Sequence, residues 1–135
     1  DRAMLASRLL AEVLADRLGA ASVVIGAPSP AISGGWEEEL DAARPDLLRL
    51  SGHLDEVFRE GAVPMTALSR CAVALATLPV VARHRPDAVV VWFDAHADLH
   101  TPRTTTTGYL GGLAFAGPLG LWDSGLGAGL RTSQA

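Results

Sequence analysis

The chain contains no lysine and no asparagine. Without lysine, these residues hold neither a P-loop lysine for phosphates nor an amine for a Schiff base. Without asparagine, there is no glycosylation sequon. The lone cysteine, Cys71, cannot form an intrachain disulfide, which fits a reducing cytoplasm. All 11 basic residues are scattered arginines and the formal net charge is -4, so there is no electrostatic reason to expect nucleic-acid binding. No apolar run is long enough to span a membrane. Arg8, Glu12, Asp16 and Arg17 interrupt residues 3–18, which argues for a surface helix over a signal peptide.

Hydrophobic residues make up 49% of 135, enough for the core of one domain or part of one. Leu5, Leu9 and Val13, with Leu10, Leu14 and Leu18 beside them, predict an amphipathic helix stopped by Gly19. Residues 22–25 read as a short buried strand, and the proline- and glycine-bearing stretch 26–35 as a loop holding Trp36 at its end. A helix is expected over residues 37–50, broken or kinked at Pro45, with a further helical turn or two over 54–60. Glu37, Glu38 and Glu39 suit the positive end of that helix. Residues 62–68 are a candidate second strand, and residues 72–85 a helix kinked at Pro79 and ended by Arg85-Pro86. His53 reads as a loop histidine and His84 as a solvated helix end.

Residues 88–93 are continuously apolar, as a strand covered on both faces should be, with Trp92 in the core. Alternating strands and helices imply an α/β domain with a mostly parallel sheet and right-handed crossovers. Residues 108–129 then hold eight of the 14 glycines, with at most a short helix over 110–116, and Trp122 and a turn aspartate, Asp123, in loop. No strong strand follows residue 94, and the polar tail 131–135 closes nothing. The expectation is a single partial domain over residues 1–135.

Asp94-Ala95-His96-Ala97-Asp98 stands at the end of the 88–93 run. In an extended backbone, side chains alternate, so Asp94, His96 and Asp98 would leave on one side. Strand ends are where α/β folds place their chemistry. Two carboxylates and an imidazole suit Mn²⁺, Fe²⁺ or Zn²⁺, and an open octahedral site suits Mn²⁺ best. Paired metals about 3.5–4 Å apart can share an activated hydroxide. A metallophosphatase also begins strand-D-x-H, but its downstream N-H element needs the asparagine that this chain lacks.

The segment Val91-Trp92-Phe93-Asp94-Ala95-His96-Ala97-Asp98-Leu99-His100-Thr101-Pro102 resembles the D-A-H-x-D-x-N-T-P motif of the ureohydrolases, the arginase, agmatinase and formiminoglutamase relatives. Thr104 through Gly112 aligns without a gap onto T-T-T-S-G-N-L-H-G of arginase. The resemblance implies a three-layer α/β/α fold, two Mn²⁺ ions, and a metal-bridging hydroxide that attacks a guanidino or amidino carbon. It carries the metal-ligand role onto Asp94, His96 and Asp98, with Asp94 and Asp98 also orienting the nucleophile. It places His100 and Thr107 at substrate-contacting positions. For the whole protein it implies a cytoplasmic homo-oligomer acting on a small guanidino or amidino substrate.

The departures are local. Where the family's first ligand histidine follows Gly-Gly-Asp, this chain reads Leu68-Ser69-Arg70-Cys71. Cys71 there could be a thiolate ligand or a small helix-start residue, and Arg70 would oppose a cation. Tyr109 replaces an asparagine, Gly111 replaces the histidine credited with proton transfer, and the late D-x-D ligand pair is absent. These changes motivate two further readings: an inactive relative serving as a structural or regulatory subunit, and a non-functional fragment.

Overall fold

The computed structural model describes residues 2–130, so the polar tail at 131–135 lies outside the described residues. Helix α1 spans Arg2–Leu18, where the leucine spacing predicts it. Gly19 ends it in the left-handed region at φ 59°, a conformation glycine adopts without a Cβ penalty. No residue of α1 is buried. No helix is long and apolar enough to cross a membrane among the described residues.

Helix α2 runs unbroken over Trp36–Arg59, through Pro45. The expected interruption does not occur, and His53 is helical rather than in a loop. The physical reason lies in which face each residue occupies. Leu40, Leu47 and Leu54 recur every seven residues on the buried side, before and after the proline. Pro45 is exposed, so the carbonyl that loses its amide partner can be hydrated. Burial of a continuous leucine seam outweighs one missing bond.

Helix α3 covers Ala74–His84 and is entered through a short 3-10 turn at Cys71–Val73. It packs against α2, with Leu75, Ala76 and Val80 wholly buried. Ser51 Oγ of α2 donates to the Ala76 carbonyl at 3.1 Å. Near the far end, Asp55 gathers His84 Nε2 at 2.8 Å, Arg83 Nη2 at 3.4 Å, and Arg59. His84 also stacks on Phe58 at 5.2 Å, so it clamps two helices rather than standing in solvent. A second 3-10 helix, Leu110–Leu113, leads into turns that lay Leu126 and Trp122 over the same core. Trp36 and Trp122 meet edge-to-face at 5.4 Å, and Arg44 Nη1 donates to the Ser124 carbonyl at 3.2 Å.

The expected parallel sheet is not formed among the described residues. Residues 22–25, 62–68 and 88–93 carry no strand pairing there, and the short 110–116 helix is a 3-10 helix followed by turns. Val63, Val89 and Phe93 are 89%, 87% and 95% exposed. A parallel strand needs neighbours for its backbone and a layer on each face. The helical core here supplies neither to these three segments. Trp92 is the partial exception: it is half-buried and stacks on Phe115 at 5.0 Å.

Two measurements check this core. Leu75→Ala, at a wholly buried position, is expected to lower unfolding free energy by about 2–5 kcal/mol in chemical denaturation. The hydrogen bond from His84 holds the Asp55 carboxyl below its ordinary 3.8, with Arg59 and Arg83 adding to it. That contribution is complete above the unfolded carboxyl's range and fades as pH falls through the lower folded value. Asp55→Asn should therefore melt at a lower temperature than the parent at neutral pH, with the gap closing in acid.

Candidate metal centre

The Asp94–Asp98 loop is held by the glycine-rich segment beyond it. The Asp98 carbonyl accepts from the Phe115 and Ala116 amides at 3.0 and 3.2 Å, and the His100 amide donates to the Gly112 carbonyl at 2.9 Å. The chain is not extended through the motif. It bends, and Asp98 has φ 51°, a left-handed conformation that aspartate tolerates better than most residues. The alternation expected for a strand is thereby broken. Asp94 Oδ1 accepts the His96 amide at 3.0 Å, an Asx-type turn. The His96 ring stays 83% exposed, its Nδ1 3.6 Å from the same oxygen. Asp98 turns inward and is only 8% exposed.

A different third partner enters from far along the chain. Cys71, the first residue of the 3-10 turn before α3, donates its thiol to Asp94 Oδ2 at 3.3 Å. Atoms of Cys71, Asp94 and Asp98 all lie within 4.8 Å of one another. Asp98 Oδ2 is buried without a hydrogen-bond partner. Burial, then the Asp94 carboxylate, pushes the Cys71 thiol up to about 11. Burial also raises the Asp98 carboxyl, while the His96 amide lowers that of Asp94. The group is thus two carboxylates gathered around a protonated thiol.

Arg70, the residue before Cys71, pairs with α2. Its guanidinium lies 3.7 Å from Glu39 Oε1, and Glu39 Oε2 also accepts the Leu110 amide at 3.3 Å. Glu39 therefore ties α2, the turn before Cys71 and the second 3-10 helix together, and it offsets the arginine expected to repel a cation.

The two residues expected at the substrate sit outside the thiol–carboxylate group. His100 Nδ1 lies 3.3 Å from Thr104 Oγ1, and Thr107 Oγ1 accepts the Tyr109 amide at 3.3 Å. Tyr109 is half-exposed, and its ring occupies the space above Gly111. A Cβ on Gly111 would fall 2.4 Å from Tyr109 Cε1 and 2.8 Å from its hydroxyl. Asp123 is a turn aspartate, accepting the Gly125 amide at 2.8 Å. Sequence reasoning missed the Cys71–Asp94 contact as geometry. Its one signal was the place of Cys71 in the aligned motif.

Comparison with known proteins agrees with the motif. A sequence model of the arginase family matches residues 30–134. Over 125 residues the chain is 45% identical to an N(omega)-hydroxy-L-arginine amidinohydrolase of Streptomyces lavendulae, covering 93% of this chain and 46% of that protein. An arginase of Bacillus caldovelox is 33% identical over 72 residues, 53% of this chain and 24% of its own. The mitochondrial arginase-2 of Homo sapiens is 54% identical over 41 residues, 30% of this chain and 12% of its own. The chain thus spans less than half the length of each of these relatives.

Gly111 has no left-handed backbone, so space rather than conformation favours glycine there. Gly111→Ala is expected to turn the half-exposed Tyr109 ring outward, costing less than the roughly 1–3 kcal/mol of overpacking a rigid core. Burial raises the phenol above its ordinary 10.0. Alkaline spectrophotometric titration of this sole tyrosine should find it lower in the variant than in the parent.

Proposed function

The chain belongs to the arginase family, and from that premise we propose that it carries the cation-holding part of an amidino-hydrolase centre. The observation that supports this most is the Asp98 carboxylate, buried, unpartnered at Oδ2 and beside a second carboxylate. A carboxylate oxygen without a partner is costly to bury, and a divalent cation would offset that cost. Carboxylate oxygens with an imidazole in reach fit Mn²⁺. Asp94 and Asp98 would hold the ion, with the His96 imidazole, 3.6 Å from Asp94 Oδ1, in reach of them. The fold proposed for the whole protein is the three-layer α/β/α domain with its mostly parallel sheet, and the dinuclear site needs ligands beyond those of this chain.

A bound divalent cation supplies a hydroxide at neutral pH by lowering the pKa of water. Asp94, fixed by the His96 amide, and Asp98, fixed by its buried setting, orient the nucleophile toward a guanidino or amidino carbon. Thr107 Oγ1 already accepts an amide, which leaves its hydroxyl hydrogen for a substrate acceptor. His100 presents an exposed imidazole alongside. The name of the Streptomyces relative makes a hydroxyguanidine the first substrate to try. A second reading is a relative that binds a cation without turnover. It draws on Gly111, which brings no proton-transferring side chain of its own.

The test is a manganese titration by calorimetry of the parent and Asp98→Asn. Manganese at about 100 times its dissociation constant should raise the parent's stability by about 2.7 kcal/mol. Asp98→Asn should weaken binding by more than the roughly 10–100-fold typical of outer-shell changes, without lowering metal-free stability. Equal manganese binding by both proteins would refute the assignment. With the loaded protein, urea or hydroxyurea release from arginine and N-hydroxyarginine separates the two readings.

A further inference from the structure

We propose that Cys71 is itself a metal ligand, so that this chain offers a sulfur–oxygen donor set where the motif alone suggests nitrogen and oxygen. The inference rests on the cation-holding reading above and sharpens which residues and which metals it involves.

Three independent features converge on it. The thiol lies 3.3 Å from Asp94 Oδ2 and belongs to the one close group of potential ligand atoms among the described residues. Asp98, more than nine-tenths buried and with its Oδ2 unpartnered, supplies a carboxylate oxygen to that group. The imidazole that sequence alternation would have brought there points into solvent instead. Cys71 is also mechanically well placed. It opens the 3-10 turn that continues into α3, and α3 is anchored by wholly buried Leu75 and Ala76. The sulfur is therefore fixed by the core, whereas the His96 ring is fixed by one turn of loop.

Coordination would replace the thiol hydrogen with the cation. The S–H bond breaks, its electron pair forms the sulfur–metal bond, and the proton passes to solvent. No oxidation is involved. The consequence is selectivity. A thiolate favours softer ions, so the site should rank Zn²⁺ above Mn²⁺ more steeply than an all-oxygen and imidazole site would.

The experiment titrates the chain with cobalt(II) chloride and follows near-ultraviolet absorbance, beside Cys71→Ser and the Asp94→Ala/Asp98→Ala pair. The expected result is a sulfur-to-cobalt charge-transfer band that is absent from Cys71→Ser. Cobalt binding should persist in that variant at reduced affinity and vanish in the aspartate pair. Zinc should bind the parent at least about tenfold more tightly than manganese, with the ratio narrowing in Cys71→Ser. X-ray absorption of the zinc-loaded parent should find a sulfur neighbour near 2.3 Å, a readout that does not depend on any variant folding. Cobalt binding without the band, and zinc without a sulfur neighbour, would overturn the role of Cys71 while leaving the carboxylate site standing. No binding of cobalt, zinc or manganese by the parent would overturn both.

Discussion

The packing of α2 on α3 is the contact on which everything else is built. Leu40 and Leu47 pack in one core cluster with Leu75 and Ala76, and Leu54 and Val80 are buried further along the two helices. The reach of this packing extends past the helices. Because the turn at Cys71 continues into α3, the seam decides where the thiol stands. Because Glu39 sits one residue before Leu40, the same helix delivers the carboxylate that meets Arg70 and the Leu110 amide. A hydrophobic interface thus sets the position of polar groups at its margin.

At that margin two carboxylates and a protonated thiol share a small volume. Asp94 is steadied by a backbone amide, Asp98 by burial and a left-handed backbone, and Cys71 by the start of a helix. Backbone strain and an unpartnered buried carboxylate are both unfavourable alone, and both persist only where the surroundings enforce them. Here the enforcement comes from hydrogen bonds between the Asp98 carbonyl and the amides of Phe115 and Ala116. The motif and the loop geometry share Asp94 and Asp98, while the geometry adds Cys71 and leaves the His96 ring outside.

How much could be read from the sequence depended on the range of the interaction. The leucine spacing of α1 and the triple glutamate of α2 are local, and both helices form where they predict. Pro45 misled because its local penalty is set against a seam that extends well beyond it on both sides. His84 was misjudged because its partner Asp55 lies 29 residues away and Phe58 lies beside it only after folding. Residues 88–93 have the composition of a buried strand, but composition does not supply neighbours. At the site, motif and placement named Asp94 and Asp98 as candidates, and the structure brings the two together. The inward turn of Asp98 and outward turn of His96 were not legible, because the bend over residues 94–96 and the left-handed Asp98 break an alternation that assumes extended backbone. The meeting of Cys71 with Asp94, 23 residues apart, is tertiary and has no local signal.

The stretch 88–93 carries one more consequence. It is uncharged and free of proline, and Val89, Val91 and Phe93 face outward on alternate positions at 87%, 67% and 95% exposure. That is the composition of a steric zipper, in which identical segments from different molecules stack in register. An exposed segment of this kind favours self-association between copies of the chain, and a single charge at position 91 is expected to weaken it without touching the helical core.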